Sequence, residues 1–182
     1  MQQLGAARSS LKRRRGYMDE VAALSEEVNS KLKIANKNKP HAHDFQCLIF
    51  YQNQIMQFQL SDAFQAGQYV ALFFCGYDLE YYDSFVEYGA MPIAMTQDLA
   101  PIHAAYATPN FTSQSLNFEP KFILASDGID RLISTAFKSL NMQTLEMKRS
   151  VVIIDRNLDI VFTHRAPEKG PFSMKEILNC FH

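Results

Sequence analysis

The residues of this 182-residue chain with most chemistry in them are its three cysteines, a histidine pair and one arginine before an apolar strand. Cys75 follows the run Tyr69-Val70-Ala71-Leu72-Phe73-Phe74. A continuous apolar run of that length suits a central strand buried on both faces. Cys75 then falls at a strand end, and Gly76 after it lets a substrate approach closely. Against a reactive thiol, Asp78 and Glu80 would raise its pKa. The other reading of Cys75 is a small buried hydrophobe. Cys47 sits in a predicted strand and reads as packing. Arg149 is placed either to bind a small anion in a cleft or to pair with Glu146 at a strand start.

His41-Ala42-His43-Asp44 offers two imidazoles and a carboxylate, and residues two apart in a strand share a face. The competing reading is an exposed, polar strand entrance. There is no CxxC and no zinc-like Cys/His spacing, so neither a metal nor a cofactor is expected. Tyr77, Tyr81, Tyr82 and Tyr88 either stack a ligand, form an interface or cover a core edge.

Composition bounds the partners. The apolar fraction is 47%, the charged fraction 20% and the net charge −1, which describes one ordinary globular domain. A near-neutral chain has no global field for nucleic acid or an anionic membrane. No apolar run reaches the roughly 20 residues of a membrane span. The odd, sparse cysteine count is no disulfide framework. The basic start lacks a signal-peptide core, so a cytoplasmic home is expected. Arg8 and Lys12 to Arg15 form a short basic arm, which reads as a solvated terminus or as a contact for an anionic partner. Either Met1 or Met18 suits a start.

The elements that must position these residues follow from periodicity. Tyr17, Val21, Leu24, Val28 and Leu32 recur at helical spacing, predicting an N-terminal helix over 17–33. The main domain begins near Pro40. Phe45 to Phe50 and Ile55 to Leu60 predict a hairpin, and Ser61-Asp62 predicts a capped turn ending at Gly67. After the strand Tyr69 to Phe74, helices are predicted at Asp78 to Tyr88, Pro101 to Tyr106, from Asp127, and from Ser173 to Phe181. Ser173 and Glu176 suit a capping box in the last. Strands are predicted at Met91 to Met95, Phe122 to Leu124, Ser150 to Asp155 and Ile160 to Phe162. Helices alternating with buried strands make an α/β sandwich with a mixed central sheet.

The order of short motifs resembles the peroxiredoxins, the alkyl hydroperoxide reductase and thiol-specific antioxidant family. Asn38-Lys39-Pro40 with Asp44-Phe45 is similar to the family's opening Gly-Lys-Pro-Ala-Pro-Asp-Phe. Leu60-Ser61-Asp62 and Gly67-Gln68-Tyr69 through Phe74 resemble Leu-Ser-Asp and Gly-Lys-Tyr-Val-Val-Leu-Phe-Phe. Asp98 with His103-Ala104-Ala105-Tyr106 resembles Asp…His-Leu-Ala-Trp. Leu124 with Ser126-Asp127, Arg149 with Val152-Ile153-Ile154-Asp155, and Ser173 with Glu176-Ile177-Leu178 complete the frame. The likeness runs from about Lys39 to Phe181. It implies a thioredoxin-like three-layer sandwich over 39–182, preceded by a basic arm and helix over 1–38.

The departures are as informative. The family follows its Leu-Phe-Phe strand with Pro-x-x-x-Thr/Ser-x-x-Cys. Counted without a gap, Cys75, Leu79 and Tyr82 take the Pro, Thr/Ser and Cys positions, and Tyr cannot become a sulfenate. The segment from Phe74 to Gly89 is also shorter than the family's by roughly three helical turns. Either register lacks the peroxidatic cysteine. No C-terminal Cys-Pro segment is present, and Cys180 falls inside the last predicted helix. Arg149 matches the strand arginine that in the family stabilises thiolate and peroxide. His103 matches a structural histidine, and Phe172 stands where a second arginine is expected.

The expectation is a redoxin domain that has lost its peroxidatic cysteine and acts as a non-catalytic binding or interaction domain, with an unnamed protein partner and a possible homodimer. The alternative is an antioxidant peroxidase or disulfide oxidoreductase that uses Cys75 as a relocated thiol assisted by Arg149.

Overall fold

A computed structural model describes residues 40–76, 81–116, 118–167 and 170–181. The predicted N-terminal helix and basic arm lie outside them. The described residues belong to one compact unit, Pro40–His182.

Seven strands form one sheet: β1 Gln46–Tyr51, β2 Gln54–Gln59, β3 Tyr69–Phe74, β4 Ala90–Thr96, β5 Ile123–Ser126, β6 Ser150–Asp155 and β7 Ile160–Arg165. Their order is β2-β1-β5-β4-β3-β6-β7. β3, β4 and β5 are parallel, and the other neighbours pair antiparallel. The sheet is therefore mixed, as expected. β3 and β6 are buried from Val70 to Phe74 and from Ser150 to Ile154, which is what an interior strand covered on both faces requires. The edge strand β7 alternates between half-buried and exposed.

Alternation divides the core. Val70, Leu72 and Phe74 face one cluster with Ile93, Met95, Val152 and Ile154. Ala71 and Phe73 face the other, with Phe85, Phe172 and Ile177. The first face is covered by the 3-10 turn Leu60–Gln65 and the helix Leu132–Ala136. The second is covered by the helices Tyr82–Glu87, Ala100–Ala107 and Met174–Asn179. These are the three layers.

Local details differ from the sequence reading where a tertiary contact wins. The β1–β2 turn is Gln52 and Asn53, both left-handed (φ 48° and 62°), as a two-residue hairpin needs. Gln59, at the start of the Leu60–Gln65 turn, makes no side-chain cap; Asp44, from before β1, takes that place, its Oδ1 accepting from the Ser61 N–H at 2.9 Å. Ser173 makes no side-chain cap, and the Glu176 carboxylate lies instead 3.4 Å from His164 Nδ1. The helix expected from Asp127 begins at Leu132, and Asp127 holds its first turn: Oδ1 accepts from Ile133 N–H at 2.8 Å and Oδ2 from Ser134 N–H at 3.0 Å.

Candidate functional site

The antiparallel register of β3 and β6 ends with Phe74 opposite Ser150. One step further the regular pairing ends: Cys75 packs with the first-face cluster, while Arg149 lies over the Phe172 ring of the second, close enough to bear on the Cys75 thiol. Cys75 N–H donates to the Met95 carbonyl at 3.2 Å. Its φ is 52°, a left-handed conformation that is costly for a residue with a Cβ.

Gly76 explains the close packing next to it. A Cβ added there would lie 3.3 Å from Phe172 Cε2 and 3.6 Å from Arg149 Nε. The Arg149 guanidinium lies 4.8 Å from the Phe172 ring centroid, a cation–π arrangement. Its Nη1 donates to the Gly170 carbonyl. Among the described residues no ion pair joins Arg149 to Glu146. Phe172 is buried; where the family resemblance leads one to look for a second cation, this chain supplies the ring beneath the first.

The thiol environment is mixed. Burial pushes the Cys75 pKa up; Arg149 and Arg131 pull it down, Asp98 and Glu146 push it up, and the net direction is upward. The neutral thiol is thus favoured over the nucleophilic thiolate. Asp78 and Glu80, the acids singled out in the sequence, lie outside the described residues, and so does Tyr77. Asp98, Arg131 and Glu146 were not foreseen around Cys75, since they come from three separate loops. Asp98 has only its place in the family-like motif as a signal. Nearby, His103 is buried, with Nε2 3.4 Å from Thr96 Oγ1. Burial lowers its pKa, against the opposing influence of Asp98 and the Ala125 backbone.

The other cysteines stand apart. Cys47 is on β1, three strands from β3, which at sheet spacing is about 14 Å, too far for a disulfide without backbone movement. Burial pushes its pKa up to about 12. Cys180 packs on the opposite face of the sheet from Cys75, and burial pushes its pKa up to about 11. All three are free thiols.

Tyr82 packs against the Phe50, Ala94 and Phe122 cluster. Arg149 has other neighbours: Gly76, Gly170 and Phe172. Tyr81 packs on the Phe73 side, and Tyr88 stacks on Phe181 at 5.3 Å. The described tyrosines Tyr81, Tyr82 and Tyr88 thus spread over a core edge. His41 Nδ1 lies 3.2 Å from Asp159 Oδ1 and His43 is exposed. Among the described residues no cluster of three His, Cys, Asp or Glu could hold a metal ion. No helix among them is long and apolar enough to cross a membrane.

No protein-family model matches the chain, and no curated protein does. Solved structures do. A mitochondrial 2-Cys peroxiredoxin from Plasmodium falciparum aligns with a TM-score of 0.63 at 20% identity, over 79% of this chain and 90% of that one. Thioredoxin peroxidase I from Plasmodium yoelii aligns at 0.65 and 23% identity, over 79% and 87%. Enterococcus faecalis AhpC aligns at 0.64 and 15%, over 79% and 89%. With its mixed seven-stranded sheet and helices on both faces, the chain has the thioredoxin-like fold of the peroxiredoxins.

Proposed function

We propose that this chain is a redoxin domain without thiol-peroxidase chemistry, acting as a binding or interaction domain. The observation that carries the reading is the half-buried place of Cys75 with the first-face core cluster, where burial with Asp98 and Glu146 raises its pKa against Arg149 and Arg131. Arg149 adds to it. Its guanidinium is engaged by the Phe172 ring and the Gly170 carbonyl rather than presented to a peroxide. Within this reading, 1–38 is a basic arm with a helix and 39–182 is the domain proper. A homodimer through the exposed edge of β7 or the Tyr82–Glu87 helix suits such a domain, and three free cysteines suit a reducing compartment such as the cytoplasm. Mixing the protein with hydrogen peroxide in a stopped-flow instrument tests it. The expected result is no fast thiol loss; rapid stoichiometric loss that disappears in Cys75→Ser overturns it.

A second reading rests on Arg149 lying beside Gly76. Here the Cys75 thiolate attacks a hydroperoxide oxygen, the O–O bond breaks, the alkoxide leaves and takes a proton, and Cys75 becomes a sulfenic acid. An external thiol then forms a mixed disulfide with loss of water, and a second thiol releases Cys75. Trapping of the sulfenic acid on Cys75 by a dimedone-type probe after sub-second peroxide exposure separates the two readings.

A further inference from the structure

At the other end of the parallel strands from Cys75 lies a cavity of about 240 Å³. Val86 of the Tyr82–Glu87 helix, Met91 and Pro92 of β4 and Ile123 of β5 make it apolar. Tyr51, Tyr82 and Lys121 stand at its polar side and also line an adjoining outer cavity of about 330 Å³, which Glu119 shares. Tyr82 also lines a third, very small void of about 10 Å³ with Phe73 and Phe85.

One charged pair bears on this lining: Lys121 lines both cavities, and Asp83, which lines neither, pairs with it. Lys121 Nζ lies 3.6 Å from Asp83 Oδ1, with the two side chains 69% and 80% exposed, and Nζ sits 5.9 Å from the Tyr82 ring centroid. An exposed pair of this kind contributes little by itself, so a ligand can take over either partner. Tyr51 is close enough to Tyr82 to help burial raise the Tyr82 pKa, so Tyr82 stays a neutral hydroxyl donor.

We propose that this cavity binds a free α-amino acid with a large apolar side chain. The carboxylate takes Lys121 and the phenol hydroxyls, the ammonium takes Asp83 with Glu119 beyond it, and the side chain fills the space between Val86, Pro92 and Ile123. The whole cavity, about 240 Å³, is below the roughly 300 Å³ at which drug-sized sites begin, which suits one such side chain. Lys121 in the lining with Asp83 paired beside it offers opposite charges that complement a zwitterion, whereas a simple carboxylate would leave Asp83 facing a like charge. The site shares no residue with the Cys75 end, so it stands whichever way the peroxide experiment falls.

Titration of the full chain with L-phenylalanine, followed by backbone amide NMR, tests it. Saturable shifts are expected at Tyr51, Tyr82 and Ile123. N-acetyl-phenylalanine and phenylalaninamide, each missing one charge, should bind about tenfold more weakly. Lys121→Gln should erase the penalty for the amide, and Asp83→Asn the penalty for the acetylated form. Both positions are exposed, and unchanged amide spectra elsewhere serve as the folding check. Absence of saturation, shifts confined to other residues, or equal affinity for all three compounds overturns the proposal.

Discussion

Arg149 and Phe172 form a stacked pair, the guanidinium 4.8 Å from the ring centroid, and Gly76 packs against both. The pair joins the start of β6 to the segment entering the last helix. Because Arg149 is partly exposed, its coupling to the ring should be about 0.5–1 kcal/mol. A double-mutant cycle with Arg149→Ala and Phe172→Leu, measured by urea unfolding, should return that value. A coupling indistinguishable from zero means the ring serves as packing alone.

The same arginine leaves a signature on Cys75. The raised Cys75 pKa implies slow alkylation by iodoacetamide at neutral pH, with the rate still climbing beyond the ordinary thiol range of about 8.5. Arg149→Ala removes an influence that lowers the pKa and should move the profile to higher pH. Asp98→Asn removes one that raises it and should move the profile down. Cys47 and Cys180, pushed up to about 12 and about 11, contribute little below pH 9. A Cys75 profile centred below pH 7 contradicts the environment described.

His103 should make the protein sensitive to mild acid. Its buried imidazole has a pKa below the ordinary value, so the folded chain refuses a proton that the unfolded chain accepts. The associated stability is fully present above about pH 6.5 and is lost as pH falls below it. Unfolding free energies between pH 7.5 and 5 should therefore decline. In His103→Gln, which can keep a hydrogen bond to Thr96, the decline should be shallower whatever the absolute stability. An identical slope in both proteins would place the acid sensitivity elsewhere.

What could be read in the sequence is what strand chemistry writes locally. Tyr69–Phe74 and Ser150–Asp155 were legible to the residue, because strands covered on both faces are continuously apolar. Cys75 and Arg149 were linked in the sequence only through the resemblance to peroxiredoxins; in the structure Cys75 packs with the first-face cluster and Arg149 lies over Phe172 of the second. The capping box at Ser173 was misread: Ser173 makes no side-chain cap, and Glu176, three residues on as the box requires, lies against His164 on β7. Phe172 under Arg149, and Asp98, Arg131 and Glu146 around Cys75, are contacts across long sequence separations. No local spacing announces them. The Tyr51–Tyr82–Lys121 cavity was illegible for the same reason, although Tyr82 itself had attracted notice.

Asp127 carries the last prediction. The sequence placed it at the start of a helix; the structure gives it a larger task, since both carboxylate oxygens accept buried N–H groups of that helix, from Ile133 and Ser134. Asp127 itself is only 3% exposed, so water cannot replace it. Asp127→Ala leaves two buried donors without partners and should cost about 1–3 kcal/mol for each one left unsatisfied. Asp127→Asn keeps one side-chain acceptor and should recover part of the loss. Ile133 and Phe137, which cover the first sheet face, depend on that helix turn, so hydrogen exchange of the 132–137 amides should accelerate in Asp127→Ala before the central strands are affected. Unchanged protection there, with a normal melting temperature, would mean the turn is held by its apolar contacts and not by the carboxylate.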